Sequence, residues 1–469
     1  MNGLHIEHLT SIVQNEISSL KQLYQQKQYD KSLDKLSSLG IKYPKFRDHP
    51  LHNGHMWLES KRIDDGAEGL WRIHDQLYDF SDFVHDHPGG KDWLRLTKGT
   101  DITEAFESHH ISAVPSTLLP QYLVRDAKVP RNSPFTFNEN GFYNLLKRKI
   151  YEKLKTLPKT SSDRSKHITD FLLISYIVFS YIGFAILAAY FRSFAIGGVA
   201  GIVLALTAIA AHNFFHQRDN FRMYYFDFTM MRHKEWRISH ALSHHLYTNT
   251  VYDLEISALE PFLQYLPTEK SLIFRFASWI YSPIVYAFVY IAFYLKAIIQ
   301  SLILGEKIPL SLLLPFTVLG AMIAFTNESV IFCTIMFFWI IITSSIYFGI
   351  VGVNAAHHHP DIFHDGDTPR PKDQMDWGIF QIDAVRDRKD INSSYFLVLT
   401  NFGDHTLHHL FPTIDHGYLQ YLYPEFFETC QEFGIRYETT TQLELVKGQY
   451  RQLAKHKPNP FPPGHIQPT

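Results

Sequence analysis

The fold of this chain is decided at residues 194–216, which read Phe194-Ala-Ile-Gly-Gly-Val-Ala-Gly-Ile-Val-Leu-Ala-Leu-Thr-Ala-Ile-Ala-Ala-His212-Asn-Phe-Phe-His216. The first part of the stretch, 194–211, carries no charge and has nearly the ~20 residues that a helix needs to cross a bilayer. Two histidines follow directly, one helical turn apart, so both lie on one face if the helix continues past the bilayer. The stretch therefore predicts a spanning helix that brings two imidazoles to a membrane surface.

Two further histidine clusters lie downstream with the same close spacing. They read His240-Ala-Leu-Ser-His244-His245 and His405-Thr-Leu-His408-His409. With the first cluster they supply eight imidazoles at i,i+3, i,i+4 and i,i+5 spacing, and neutral imidazole is the commonest metal ligand among side chains. A single such pair is usually a satisfied surface histidine. Three clusters beside long apolar runs predict two metal ions held at a membrane surface.

Long uncharged runs accompany the clusters in two pairs, and a turn of two residues joins each pair. The first pair is Phe171–Phe191 and Phe194–Ala211; the second is Ile308–Thr326 and Ser329–Val353. Each run is near the ~20 residues of a spanning helix. We predict an all-α integral membrane domain of four spanning helices, arranged as two hairpins, with a helical cap that holds the histidines on the cytosolic side.

A fifth uncharged run, Phe276–Leu295, is also long enough to span, but parity argues against a crossing. The clusters that end at His245 and begin at His405 must meet on one side of the membrane, and three spans between them would separate them. The run carries Pro283 and several tyrosines and a tryptophan, which suit the membrane–water interface. It is therefore predicted to be interfacial or re-entrant.

A different motif stands upstream. It reads Asp82-Phe-Val-His-Asp-His87-Pro-Gly-Gly90, and His110 follows 23 residues after His87. From Pro44 to Ile111 the chain resembles a cytochrome b5 haem domain. The residues that complete the match are Trp71, Tyr78, Asp79, Phe83, Gly99, Asp101 and the run Thr103-Glu-Ala-Phe106. The resemblance implies an α+β cytochrome b5-like domain that binds haem b between His87 and a later histidine. Both His109 and His110 stand there, and the spacing in desaturase-fused members of the family favours His110.

The second half of the chain, from about His167 to Phe411, resembles the membrane fatty acid desaturase superfamily. The three clusters match its histidine boxes in order, in spacing and in position beside the hairpins. With the haem domain in front, the architecture is that of the cytochrome b5-fused desaturases. Over nearly the full length the chain is most similar to the insect cytochrome b5-related proteins, as the runs 64–74, 99–110 and 354–359 indicate.

The resemblance implies two non-haem iron ions held by the box histidines, with no catalytic residue beyond the metal ligands. The eight implied ligands are His212, His216, His240, His244, His245, His405, His408 and His409. A ninth histidine is expected after the last spanning helix, four residues after an asparagine. Asn354 and His358 fit, with Asn354 holding a metal-bound water, while His357 and His359 leave a shifted choice open. The third box begins with His405 where front-end members usually have glutamine, which weakens any inference about the bond attacked.

The function that the resemblance implies is an O2-dependent desaturase of the endoplasmic reticulum membrane, acting on a fatty acyl lipid or acyl-CoA. Its electrons would come from a flavin-dependent cytochrome b5 reductase through the haem. A lipid hydroxylase on the same iron site and a non-catalytic membrane electron carrier are the alternatives. With 44 basic and 46 acidic residues, the chain gives no indication of a nucleic-acid partner. The segment 42–110 has 13 acidic and 9 basic residues, an excess that suits a basic electron donor.

Five segments are predicted along the chain. They are an N-terminal extension (1–41), the haem domain (42–115), a linker (116–168), the desaturase-like membrane domain (169–430) and a cytosolic tail (431–469). The linker contains an amphipathic stretch, Phe142–Leu157, suited to a membrane surface. The N-terminus lacks a long apolar region, so no cleaved signal peptide is expected. The two cysteines, Cys333 and Cys430, are far apart, which predicts no disulfide and fits a reducing cytosolic side.

Overall fold

The structure is a computed structural model, and it describes residues 35–49, 52–174, 179–304, 308–353 and 356–464. The α-helices are α1 Gly54–Asp64, α2 Lys91–Thr97, α3 Thr103–His109, α4 Val114–Leu118, α5 Phe142–Thr156, α6 Thr160–Ile174, α7 Ile182–Tyr190, α8 Phe194–His212, α9 His233–Trp236, α10 Leu254–Ser257, α11 Ser278–Leu304, α12 Phe316–Phe325, α13 Val330–Tyr347, α14 Trp377–Ala384, α15 Lys389–Asn392, α16 Tyr395–Thr400, α17 His405–Leu410, α18 His416–Leu419, α19 Tyr423–Glu432 and α20 Gln442–Ala454. The strands are β1 Trp71–Ile73, β2 Gln76–Tyr78, β3 Leu123–Asp126, β4 Asp387–Arg388 and β5 Thr439–Thr440. Short π-helical segments are Arg237–His244, Ile273–Ala277 and Phe348–Val353.

The first unit of the chain, a name used here for residues 54–133, combines a small sheet with short helices, as expected for an α+β domain. β1 pairs antiparallel with β2, and Trp71 lies opposite Tyr78. These two residues are buried with Phe80 in the core of the unit. The third strand, β3, lies beyond the predicted domain boundary at residue 115. Its pairing with β2 supplies partners for backbone groups at the sheet edge, which explains why the predicted linker returns to this unit.

Three of the described helices are long and apolar enough to cross a membrane: Phe194–His212, Ile273–Leu302 and Val330–Gly352. Two shorter apolar helices are Phe179–Tyr190 and Leu310–Phe325. Two of the four predicted spans are therefore shorter in the described residues than the sequence suggested. The arrangement as two complete hairpins stays a prediction.

The two predicted hairpin turns meet at one end of the helical domain. Arg192 donates through Nε and Nη2 to the two carboxylate oxygens of Glu328, at 2.8 and 2.7 Å. Helices α8 and α13 start beside these turns and pack closely against each other. Gly201 permits the close packing, since a Cβ there would lie 2.7 Å from the carbonyl oxygen of Ile340. Both helices therefore run in the same direction, from the turns toward the histidines.

The helix α11 contains the run predicted to be interfacial, and it is continuous although Pro283 lies inside it. It contacts the cap, a name used here for residues 213–272 and 356–464. Near its start, Trp279 Nε1 donates to the carbonyl oxygen of Tyr450 at 2.8 Å. Toward its end, Lys296 lines a cavity together with Glu235 of the cap. The helix also packs along α13, where Ser345 Oγ donates to the carbonyl oxygen of Tyr286 at 2.6 Å, and its length and composition suffice for a crossing. The interfacial or re-entrant placement therefore stays a prediction.

The amphipathic helix α5 does not use its apolar face for a membrane surface. Phe142, Tyr143, Leu146 and Ile150 are all fully buried in the core that includes the cap. Tyr143 packs against the Trp377 ring at 4.8 Å between centroids. The expectation for this stretch was therefore wrong, because hydrophobic periodicity marks a buried face without telling protein from lipid.

A buried polar network fastens the first unit to the cap. The Glu104 carboxylate is fully buried and accepts hydrogen bonds from Arg131 Nη2 at 2.5 Å, Ser133 Oγ at 2.6 Å and Tyr247 OH at 3.1 Å. Lys61 Nζ donates to the same Tyr247 oxygen at 3.0 Å. Since Tyr247 lies two residues after the second histidine cluster, the network fixes the first unit directly beside the predicted metal site.

Candidate metal centres

The second histidine cluster lies on π-helical and not α-helical backbone. Residues Arg237–His244 form a π-helix, whose turns are wider than those of an α-helix. The amide of His245 accordingly donates to the carbonyl oxygen of His240, five residues earlier, at 2.9 Å. One extra residue per turn changes the direction in which the following side chains point. As a result His244 and His245 enter two different groups of histidines.

The larger group gathers five buried histidines from all three clusters. They are His212, His216, His240, His245 and His408, and their candidate ligand nitrogens all lie within 4.8 Å of one another. The Nε2 atom of His240 is 2.6 Å from Nε2 of His212 and 3.0 Å from Nε2 of His245. Such convergence from three separate segments is the arrangement that the sequence clusters predicted.

A smaller group lies next to it and includes a histidine outside the three boxes. It consists of His244, His357 and His409. His405 adjoins it, with Nε2 at 2.7 Å from Nε2 of His357. The two groups are in contact, since the rings of His245 and His409 stack at 4.0 Å between centroids. The eight box histidines and His357 thus form two adjacent polydentate sites.

The structure does not bring His358 into either group. Its ring stacks on Tyr265 at 3.6 Å between centroids, and its Nδ1 lies 3.3 Å from Nε2 of His364. His357 takes the expected place, because its Nε2 lies 3.1 Å from Nε2 of His244 and 2.7 Å from Nε2 of His405 while the His358 ring packs against Tyr265. Asn354 lies outside the described residues, and its predicted role stays a prediction.

Unpartnered ring nitrogens show that the two groups suit cations. Inside the groups, buried nitrogens without a hydrogen-bond partner among the described residues occur on six histidines. They belong to His212, His216, His245, His405, His408 and His409. Burial, followed by repulsion from neighbouring imidazoles, holds the pKa of His216 and His408 well below the usual value. On His216, His408 and His409 the unpartnered atoms include Nε2, for which a metal ion would be the missing partner; on His212, His245 and His405 the unpartnered atom is Nδ1. Buried imidazoles with Nε2 atoms gathered together therefore fit metal ions.

Two carboxylates behind the second cluster were not predicted from the sequence. Asp253 Oδ2 accepts a hydrogen bond from His244 Nδ1 at 2.8 Å, and Glu255 Oε1 accepts one from His240 Nδ1 at 2.8 Å. Burial lowers the pKa of His244, but Asp253 and then Glu255 outweigh it and raise this pKa to about 9. Carboxylates placed in this way fix the ring orientation and make the imidazole a better metal ligand.

Further supports for the histidines come from segments that carry no box. Gln381 Oε1 lies 3.1 Å from His409 Nδ1, and Asp387 Oδ1 accepts the backbone amide of His405 at 2.7 Å. His416 is buried with its ring 4.7 Å from that of His408, and burial lowers its pKa to about 3. Nothing in the spacing of Asp387 and His416 indicated a role.

The predicted haem site is a cavity of about 720 Å³ between the first unit and the cap. His87 and His110 face each other across it, with ring centroids 6.2 Å apart. Each ring is oriented by a backbone carbonyl, since His87 Nδ1 lies 2.9 Å from Gly90 O and His110 Nδ1 lies 2.9 Å from Phe106 O. Both Nε2 atoms thus remain for a metal between them, and the apolar walls suit a porphyrin.

His109, the other candidate, also lines this cavity, as His216 does. Its ring lies 5.6 Å from the Trp93 ring and 6.1 Å from the His216 ring, between centroids. Both successive histidines therefore border the haem cavity, but His110 lies against His87 while His109 lies between Trp93 and a member of the larger histidine group.

A second cavity, of about 620 Å³, lies between α11 and the cap. Its inner wall includes Trp236, which stacks on the His240 ring at 5.0 Å between centroids, and Glu255. Its apolar walls include Val289 and Phe293, and the charged Lys296 lies farther along α11. The volume is within the ~300–1,000 Å³ that ligand pockets usually have. The cavity leads from a membrane-facing helix to the edge of the metal groups.

Comparisons with known proteins agree with this layout. Residues 57–128 match the cytochrome b5-like heme/steroid binding domain family, and residues 186–441 match the fatty acid desaturase family. The cytochrome b5-related protein of Drosophila melanogaster is 43% identical over 444 residues, which cover 92% of this chain and 98% of that protein. The probable Delta(5) fatty acid desaturase C of Dictyostelium discoideum is 25% identical over 444 residues, covering 81% of this chain and 90% of its own. No solved structure matches the chain.

Proposed function

The chain belongs to the fatty acid desaturase family and carries an amino-terminal cytochrome b5-like domain, and from this premise we propose that it uses O2 to desaturate a fatty acyl lipid or acyl-CoA. One observation carries the proposal: His216 belongs to the larger histidine group and also lines the haem cavity. A one-electron carrier is thereby held against a site for two metal ions. That combination suits oxidation of an unactivated acyl chain, for which the cofactors supply the chemistry and the protein the orientation.

The residues of this chain would divide the work as follows. His87 and His110 hold the haem, and the two histidine groups hold two irons, which when bound activate O2. Asp253 and Glu255 keep the rings of His244 and His240 in the orientation that presents Nε2 to a metal. Burial of the groups excludes water, which protects a reactive centre from side reactions.

The cavity under α11 is the place we propose for the acyl chain. Val289 and Phe293 provide apolar walls, and Trp236 ends the cavity beside His240. A fatty acyl chain buries a long apolar surface, and such burial contributes about 0.8 kcal/mol per methylene group. The polar headgroup would lie toward Lys296, whose charged side chain also lines the cavity.

The electron balance requires an external donor. Desaturation removes two hydrogens from the substrate, and reduction of O2 to two waters needs four electrons. Two electrons come from the substrate and two must pass through the haem one at a time. We therefore propose a flavin-dependent cytochrome b5 reductase as partner, drawn to the acidic haem unit.

The proposed setting is the endoplasmic reticulum membrane, with haem unit and histidines on the cytosolic side. The turns that hold Arg192 and Glu328 lie at the opposite end of α8 and α13 from the histidines. The two cysteines are free and buried, which agrees with a reducing compartment around the cap.

Product analysis tests the function directly. Expression in a yeast membrane supplied with fatty acids should yield acyl chains that have lost two hydrogens, as measured by mass spectrometry. The variant His245→Ala, which removes one member of the larger group, should yield none. A gain of one oxygen would assign the chain to the hydroxylases instead, and no new product with bound haem would favour an electron carrier.

The haem ligands can be tested separately. Both His87→Ala and His110→Ala should abolish the low-spin bis-histidine absorption spectrum, because each removes one axial ligand. His109→Ala should preserve that spectrum, since the ring that lies against His87 is that of His110, and the His109 ring packs against Trp93 and His216. A low-spin spectrum that survives His110→Ala and disappears in His109→Ala would exchange the two assignments.

A further inference from the structure

The haem cavity lies close to the two histidine groups. The cavity is lined on one side by His87, Pro88 and His110 of the first unit, and on the other by His216, Thr413 and Asp415 of the cap. No linker movement is needed to bring the two sites together, because Glu104, Arg131 and Tyr247 already lock the units.

Between the two sites lies the ring of His109. It is half-buried, its Nδ1 lies 3.0 Å from the carbonyl oxygen of Ala105, and its inaccessible Nε2 has no hydrogen-bond partner among the described residues. One neighbour along the chain is His110, which faces the haem cavity. The neighbour in space is His216, whose ring centroid is 6.1 Å away and which belongs to the larger metal group.

Two further contacts hold the His109 ring in this place. The Trp93 indole lies against it, and the guanidinium of Arg237 lies over the other part of that indole, 4.8 Å from a ring centroid. Thr413 Oγ1 of the cap donates to the carbonyl oxygen of His109 at 3.3 Å. These contacts come from both units, so the ring is fixed relative to haem site and metal site at once.

We propose that His109 is the electron-transfer contact between the haem and the metal pair, an inference that rests on the proposed function. Electron transfer between buried centres becomes faster when packed groups replace empty space between them. His109 supplies such a group, joined covalently to one site through His110 and packed against the other through His216. His110 then anchors the haem while His109 transmits, which gives both members of the His-His pair a role.

The step itself is a transfer of one electron. With both cofactors bound, a reduced haem held by His87 and His110 would give up one electron and the metal pair would gain it; no bond would form or break along the path. Two such transfers, each followed by re-reduction of the haem by the flavin-dependent reductase, supply the two external electrons of one cycle. The competing route runs directly from the haem edge to His216 without the His109 ring.

Two variants of the full-length protein distinguish the contribution of the His109 ring from that of its hydrogen bond to the Ala105 carbonyl oxygen. His109→Asn keeps an amide near the Nδ1 position for the Ala105 carbonyl but removes the ring. His109→Phe keeps a ring of similar size against Trp93 and His216 but removes the bond. His85→Phe is the matched control, since His85 lies exposed on the same unit and does not line the cavity. His245→Ala gives the baseline for direct oxidation of haem by O2.

The measurement is stopped-flow oxidation of the haem Soret band after reduction by NADH and cytochrome b5 reductase and mixing with O2. Haem spectrum, haem midpoint potential and iron content are recorded for each variant. We expect His109→Asn to slow oxidation at least about tenfold, equivalent to about 1.4 kcal/mol in the barrier. His109→Phe and His85→Phe should remain within a few-fold of the unchanged protein. The two His109 variants and His85→Phe should keep the spectrum, the potential and the iron, whereas His245→Ala should keep the haem spectrum and lose non-haem iron.

Other results would overturn the inference in distinguishable ways. Oxidation at the unchanged rate in His109→Asn, with haem and iron retained, would assign the direct route to His216. Slow oxidation in His109→Phe but not in His109→Asn would show that the Ala105 hydrogen bond matters and the ring does not. Loss of the low-spin spectrum in both would make His109 a haem ligand. An unchanged protein that lacks non-haem iron would overturn the proposed function itself.

Discussion

Replacing His245 by alanine should remove most of the non-haem iron from the purified protein. His245 belongs to the larger group and its ring also stacks on His409 of the smaller one, so its loss affects both sites. The unchanged protein should carry one haem iron and two further irons per chain. The variant should retain the haem spectrum, because neither His87 nor His110 contacts the changed ring. Elemental analysis combined with the pyridine haemochrome assay measures both quantities in one sample.

The histidine triplet 357–359 provides the matched control. His357→Ala should lose iron, because its Nε2 lies 3.1 Å from Nε2 of His244 and 2.7 Å from that of His405. His358→Ala should keep iron, since the His358 ring faces Tyr265 and His364. The reverse result would restore the ligand that the sequence suggested. An unchanged protein with one iron per chain, even after iron supplementation, would reject the two-iron site.

The second large effect is expected from Asp253→Asn, which changes no metal ligand. Asp253 Oδ2 accepts hydrogen bonds from His244 Nδ1 and from the amide of Asn249, both at 2.8 Å. An amide nitrogen at that position would face two donors and turn the His244 ring or its tautomer. Loss of such supporting groups usually weakens metal binding by roughly 10–100-fold. Iron retention during titration with a chelator should fall by that factor while haem stays bound.

A histidine–aspartate pair elsewhere in the cap controls for general damage. Asp227 accepts from His233 Nδ1 at 2.9 Å, and both residues are buried as Asp253 and His244 are. His233 belongs to neither metal group of the described residues. Asp227→Asn should therefore leave iron retention unchanged. Equal losses in the two variants would show that any buried carboxylate of the cap matters, and would remove the specific role of Asp253.

The gathering of the three boxes was predictable because it depends on order along the chain. His212 and His216 follow an apolar helix, and such a helix fixes where its end emerges. The α+β haem unit was predictable from a motif whose turn, Pro88-Gly89-Gly90, has a local physical basis. There Gly90 has φ of 107°, a conformation that side chains rarely adopt.

The features of the site that were not predicted from the sequence depend on contacts between residues that are distant along the chain. The choice between His357 and His358 depends on residues distant along the chain, since His244 and His405 lie beside His357 while Tyr265 stacks on His358. Asp253 and Glu255 look like ordinary polar loop residues until the chain folds back on the second box. The membrane position predicted for α5 was wrong for a similar reason. The spacing of apolar residues shows which face of a helix is covered but does not show whether protein or lipid covers it.

The buried network around Glu104 has a consequence for how the protein can be handled and divided. If the chain were cut between the two units, Glu104 and Arg131 would lose their contact partner Tyr247. Trp57, whose indole donates to the carbonyl oxygen of Tyr252 at 2.7 Å, would become exposed to solvent. Buried charges that lose part of their partners and apolar surface newly exposed to water both favour aggregation. The haem unit of this chain is thus a fixed component and not an interchangeable carrier, so a free cytochrome b5 added in trans should not replace it.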